Sequence, residues 1–288
     1  MKLATVEIGG GGRVAVVEEG RATRLLPESA GSLLDIVERQ TSLGGLLKDA
    51  TSVWGPARFV APIGRPRRNI FCVGKNYHEH AQEFAKSGFD SSAASGAIPE
   101  APIVFSKVPE CVIGPDDAVV FDPSVSTAID YEGELAVIIG RPGRKISRAS
   151  ALDHVWGYTI VNDVTARDVQ GRLKQWLVGK SFDTFCPMGP WLVTADEIDL
   201  NNTTLKTWVN GELRQNANTR DLIFDVPTII ETISAGVTLR AGDIIATGTP
   251  VGVGIGFNPP KYLKDGDTVE IEIGGVGRLK NPVRTTTA

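Results

Sequence analysis

The chain has 288 residues, enough for one large domain, or one large and one small, around a sizeable core. It is 42% hydrophobic and 22% charged, with a net charge of -4 and both signs spread along its length, which excludes the basic stripe that nucleic acid binding needs. No apolar run approaches the roughly 20 residues of a membrane span, and MKLATVEIGGGGRV lacks the apolar core of a secretory signal, so neither membrane nor nucleic acid is an expected partner.

Residues 1–65 read as a small N-terminal α/β module and residues 66–288 as the main domain. Lys2 to Ile8 and Arg13 to Val17 predict two strands around a glycine turn at 9–12. Ser32 can cap a short helix from Leu33 to Arg39. Pro62, Pro66 and the run Arg65-Pro66-Arg67-Arg68 mark a boundary, the run reading as a solvated linker. Ile70 to Gly74 is a buried strand, and Asn76 can cap a helix through His80, Glu83 and Phe84. Ser87 to Pro99, rich in Ser, Ala and Gly, suits a loop over a site. Cys72, Cys111 and Cys186 are widely spaced and odd in number. They predict buried thiols in a reducing, cytoplasmic setting, not a disulfide framework or zinc site.

Further along, Ile103 to Phe105 and Ala118 to Phe121 are short strands, Ser147 to His154 a short helix, and Val155 to Val164 an apolar strand carrying Asn162-Asp163. A helix starts at Thr165, and a turn is expected at Pro187 to Pro190. Leu205–Val209, Asn210-Gly211 and Glu212–Arg214 form a hairpin, because Asn-Gly favours the positive φ angles of a two-residue turn. Val226 to Ala235 is a helix; Asp243–Ala246, Thr268–Ile273 and Gly277–Lys280 are late strands. Strands with scattered helices and no regular βα alternation predict an α+β fold.

The stretch with most chemistry is Asp130-Tyr131-Glu132-Gly133-Glu134 followed by LAVII. Period-two alternation puts Asp130, Glu132 and Glu134 on one face and Tyr131, Leu135, Val137 and Ile139 on the other. Carboxylates ~4 Å apart repel by roughly 4 kcal/mol at an effective dielectric near 20. Such a group takes up protons or holds a cation, and oxygen ligands suit Mg²⁺, Mn²⁺ or Ca²⁺. Solvated acids at a strand edge are the alternative. Asp163 leaves a second apolar strand and could join the set or cap the next helix. His80 and Glu83 lie one turn apart, on one face, as a base and its orienting carboxylate or as an ordinary ion pair; His78 and Glu79 lie on other faces. Arg167, Lys174 and Lys180 with Gln170 form a cationic set suited to a substrate carboxylate, and Gly248-Thr249 offers N–H and hydroxyl donors. GxSxG, HExxH, Walker and dinucleotide fingerprints are absent.

GKNYHEHAQEF, DYEGELAVIIG, VNDVTARDVQ, QWLVGKSFDTFCPMGP and ATGTPVGVG stand in the order found in the fumarylacetoacetate hydrolase family, which the chain resembles over residues 68–283. The resemblance implies a mixed β-roll with flanking helices, usually homodimeric. It implies Glu132, Glu134 and Asp163 as ligands of a divalent cation, Mg²⁺ foremost, with Asp130 outside the set. His80, Glu83 and Lys180 match catalytic positions; Arg167, Gln170, Lys180, Gly248 and Thr249 match substrate-binding positions. The long eukaryotic members carry another acidic ligand before their histidine, where this chain has Phe71-Cys72-Val73. The likeness is therefore to the shorter bacterial-type members, which act on acylpyruvates, oxaloacetate or hydroxymuconate-type diacids. The expected reaction is C–C hydrolysis of a 2,4-diketo acid, with His80 activating water. A lyase or isomerase of the same family is the alternative, and a metabolite-binding member without chemistry a remote one.

Overall fold

The computed structural model describes residues 1–53, 55–86 and 98–286. At its centre runs the strand Gly133–Ile139, buried at every residue. It pairs antiparallel with Val155–Asn162 on one side and Ile244–Ala246 on the other. Ile70–Gly74 lies parallel to Ile244–Ala246 and is followed by Ile103–Lys107 at the sheet edge. The period-two reading holds within this strand. Leu135, Val137 and Ile139 enter one core cluster, while Ala136 and Ile138 enter the other. Covered faces of this kind need apolar residues on both sides of the pleat, each large one contributing about 1.5–3 kcal/mol.

A second sheet of five strands, ordered Glu212–Asn218, Thr204–Val209, Thr268–Ile273, Gly277–Thr285 and Val119–Phe121, faces the first. Val269, Ile271 and Ile273 alternate inward and share a cluster with Leu135, Val137 and Ile139. The Asn210-Gly211 turn has φ of 51° and 81°, the geometry that its sequence favours. The helix Val226–Gly236, capped by Asp225, buries Ile229, Ile230 and Ile233 on the same core. Two mixed sheets with a few helices make this an α+β fold. Among the described residues no helix is long and apolar enough to cross a membrane.

The first 65 residues add strands to the main sheet. Lys2–Ile8 pairs with Gly11–Glu18, with Arg58–Val60 and with Cys186–Thr194. Leu33–Glu38 has a capping box in which Ser32 and Asp35 satisfy each other's backbone N–H.

Four local expectations differ from the structure. Pro187 to Pro190 lies inside the buried strand Cys186–Thr194, not in a turn. Its pairing with Val155–Asn162 shifts register there, so prolines that cannot donate are tolerated. Thr165–Ala166 pairs as a short strand with Ile129–Asp130, and the helix begins at Arg167. Asn76 caps no helix; its amide bonds Phe224 O at 3.0 Å and Thr247 O at 2.8 Å. Arg65 and Arg67 are exposed as expected, but Arg68 is half-buried and pairs with buried Asp243.

Candidate active site

Backbone bonds bring the acids together. The chain leaves sheet pairing at Tyr131 and Glu132, between Ile129–Asp130 and Gly133–Ile139. There the Glu132 N–H donates to Asn162 Oδ1 at 3.0 Å, and the Asp163 N–H donates to Glu132 O at 2.9 Å. As a result carboxylate oxygens of Glu132, Glu134 and Asp163 lie within 4.8 Å of one another, all three side chains buried. Ligand oxygens about 2.1–2.4 Å from an octahedral hard ion lie about 3.0–4.8 Å apart, so the cluster matches such an ion in size. Asp163 is no helix cap, because both its oxygens are taken by lysines and Ala166 precedes the helix.

Asp130 departs from the shared face. The break at Tyr131–Glu132 interrupts the alternation, and Asp130 Oδ2 instead accepts Arg167 Nε at 2.8 Å. Its oxygens also accept N–H bonds from Gly254 and Ile255 at 2.6 and 3.0 Å. Arg167 Nη1 meets Glu132 Oε1 at 2.8 Å and Gln170 Oε1 at 3.2 Å. Lys180 Nζ bridges Glu132 Oε2 at 2.8 Å and Asp163 Oδ2 at 2.7 Å. Lys107, unnoticed in the sequence, donates to Asp163 Oδ1 at 2.7 Å, Val164 O at 3.1 Å and the Lys180 carbonyl. Four buried carboxylates thus surround three buried cations.

Charge is shared unevenly. Burial works against ionised Glu132, but Lys180, Arg167 and His80 outweigh it and bring its carboxyl down to about 2. For Arg167 burial also opposes the charge, and Asp130 and Glu132 overcome it, raising its basicity. Glu134 is the opposite case. Burial, then the charges of Asp163 and Glu132, push its carboxyl well above the usual range against weaker help from Lys180 and the Gly248 N–H. It accepts that N–H at 2.8 Å and forms no ion pair among the described residues. A buried carboxylate lacking a cation, inside an all-oxygen cluster of the right size, is what a hard divalent ion would complete. The residues present therefore fit such an ion.

His80 stands over this cluster. Its Nδ1 lies 3.0 Å from Glu83 Oε2, and the two side chains are 6% and 10% exposed, not a solvated pair. A narrow cleft is lined by His80, Glu132, Glu134, Arg167, Gln170, Lys180 and Thr249. Phe84, Phe105 and Trp176 form its aromatic wall, the last two with ring centroids 5.1 Å apart. Gly74 leaves room for Trp176, since a Cβ there would strike the indole. Thr249 Oγ1 donates to Gly133 O at 3.0 Å and accepts from Gln215 at 2.8 Å. Gly248 turns its N–H to Glu134, toward the acids and not toward open cleft. Lys174 is exposed at the helix end with φ of 61°, apart from the cleft. The expected cover, Ser87 to Pro99, lies outside the described residues except at 98 and 99.

The family profile described as "Fumarylacetoacetate (FAA) hydrolase C-terminal" matches residues 69–284. Oxaloacetate tautomerase YisK of Bacillus subtilis is 52% identical over 224 residues, 77% of this chain and 72% of that protein. The solved fumarylacetoacetate hydrolase of Exiguobacterium antarcticum superposes with a TM-score of 0.87 at 41% identity, covering 99% of this chain and all of that one. Maleylpyruvate hydrolase from Sphingobium, solved with manganese and pyruvate, gives a TM-score of 0.78 at 32% identity over the whole of both chains. With most of its length matched and the acid cluster in place, this chain belongs to the fumarylacetoacetate hydrolase family.

Proposed function

We propose that the chain is a divalent-metal-dependent enzyme interconverting the keto and enol forms of a small 2-oxo dicarboxylate of the oxaloacetate kind. The observation that carries this reading is that His80, held by Glu83, opens on the same cleft as the acid cluster, Arg167 and Lys180. The cleft is narrow, with a polar floor and an aromatic wall, which favours a short acid over a bulky one. A divalent ion on the acids would add positive charge to a cleft already lined by Lys75, Arg167 and Lys180, which favours a dianion.

When bound by Glu132, Glu134 and Asp163, a divalent cation, proposed as Mg²⁺ with Mn²⁺ able to replace it, supplies Lewis-acid stabilisation of charge on the 2-oxo oxygen. His80 carries the proton to and from the carbon beside the oxo group, its ring held by Glu83. Lys180 steadies the developing oxyanion. Arg167 Nη2, buried and without a hydrogen-bond partner among the described residues, donates to the remote carboxylate, with Gln170 and Thr249 completing its polar surroundings. The proposed assembly, by family resemblance, is a homodimer.

The test follows the enol absorbance of oxaloacetate with Mg²⁺ or Mn²⁺ while CO₂ and pyruvate are measured. Faster equilibration without CO₂ is the expected outcome; release of CO₂ in step with the change would replace tautomerase with decarboxylase. Hydrolysis of a 2,4-diketo acid is the second reading, favoured by the likeness to maleylpyruvate hydrolase. Acylpyruvate cleavage by the same enzyme decides it.

A further inference from the structure

Glu83 works with both oxygens. Oε2 faces His80 Nδ1 at 3.0 Å, and Oε1 accepts the Gly252 N–H at 3.0 Å. The acceptor geometry requires the carboxylate to sit against the turn Gly252–Gly256. That turn is held from beneath. The Tyr131 hydroxyl donates to Gly252 O at 2.8 Å, and Asp130 accepts the N–H groups of Gly254 and Ile255.

Two glycines of this turn have no backbone reason to be glycine. Gly252 has φ of 103°, which disfavours other residues, but Gly254 and Gly256 lie outside the left-handed region. Space is the reason instead. A Cβ on Gly254 would strike Asp130 Oδ1, and a Cβ on Gly256 would overlap Oε1, Cδ and Cγ of Glu83.

We propose that Gly256 is a positioning residue for His80: the space left by its missing side chain is the seat in which Glu83 sits while it orients the imidazole. Because Asp130 holds both this turn and Arg167, the seat is fixed relative to the substrate-binding side of the cleft. The proposal rests on the reading of His80 as proton carrier, and its test separates the two.

Gly256→Ala is compared in the parent and in a Glu83→Ala background. Three measurements are made: kcat and KM for oxaloacetate tautomerisation, calorimetric Mn²⁺ affinity, and ¹⁵N spectra of the imidazoles in the metal-free protein. The chain has three histidines, so the His80 signals are assigned by their loss in a His80 variant. In the parent, Gly256→Ala is expected to lower kcat about 100-fold, the low end for loss of acid–base catalysis. KM and Mn²⁺ affinity stay within about threefold, and the His80 spectrum loses its preference for one protonated ring nitrogen. In the Glu83→Ala background the same substitution has no further effect, because nothing occupies the seat. Unchanged His80 signals and kcat, an equal loss in both backgrounds, or lost Mn²⁺ affinity would each overturn the proposal. A changed His80 spectrum with undiminished kcat in Glu83→Ala would uphold the seat and remove His80 as proton carrier. If Gly256→Ala does not fold, Tyr131→Phe frees Gly252 from beneath, with a smaller expected loss of about threefold to tenfold. Unchanged His80 signals in that variant count against the seat.

Discussion

The ion pairs on the outer hairpin and those beneath His80 use the same residue types in opposite surroundings. Across the Thr268–Ile273 and Gly277–Thr285 strands, Arg278 faces Glu272 at 2.7 Å and Lys280 faces Glu270 at 3.1 Å, the basic side chains about half exposed. Water and salt screen such pairs, which contribute little. Around Glu132 and Asp163 the partners are at most 6% exposed. There each charge is tolerable only because its partner is present, so removing one partner is costly even where the intact pair adds little net stability. Burial, not the count of pairs, decides which of them the protein depends on.

The strongest way to break this contrast is Lys107→Met. It strands Asp163 beside one lysine and should cost about 3–5 kcal/mol in denaturant unfolding. A cost under about 1 kcal/mol would show that the buried acids are not held by paired charge. Next comes Glu134→Gln, which removes the acid without a cation partner. Mn²⁺ affinity should fall at least about 100-fold, roughly 2.7 kcal/mol by calorimetric titration. The melting temperature in chelator should hold or rise, because that carboxylate is costly to bury charged.

Asp225 sits between the extremes, half-exposed and capping the Val226–Gly236 helix through the Thr228 N–H at 2.9 Å. Asp225→Ala should cost about 1 kcal/mol at neutral pH. Burial works against its ionisation, but Thr228 and Arg148 outweigh it, so its folded value lies below the usual aspartate value near 3.8. The contribution is therefore full above the unfolded value and fades as pH falls through the depressed folded one. Melting curves of parent and variant should converge in acid; a constant gap down to about pH 2 would point away from the charged cap. The smallest effect belongs to Arg278→Ala, under about 0.5 kcal/mol and weaker still in high salt.

Much of this was legible in the residues. The alternation in Gly133–Ile139, the Asn210-Gly211 turn and the Ser32 cap are local effects, set by neighbours a few positions away. Glu132 with Glu134 and His80 with Glu83 could be read because each pair lies within one short stretch, whereas Asp163, after a second strand, joined the acids only through the family resemblance. Lys107 could not, since its role depends on Asp163, 56 positions later. An ammonium at the end of the apolar strand Ile103–Lys107 was the available signal. Asp130 was misjudged because period two assumes an unbroken strand. Gly256 was invisible for a different reason: what matters is an atom that is missing, and its neighbour is 173 residues away.

One pairing also bears on how the molecule is assembled. Lys2 and Leu3 lie in register with Val193 and Leu192. The closing loop spans nearly two hundred residues, so this seam carries a large entropy of closure and adds to a high contact order. During synthesis the leading strand emerges long before its partner exists. It can zip with Gly11–Glu18 at once, but that hairpin must wait to be welded onto the rest. Pulse-labelled hydrogen exchange should accordingly protect amides around 133–139 and 155–162 before the seam at residues 2 and 3.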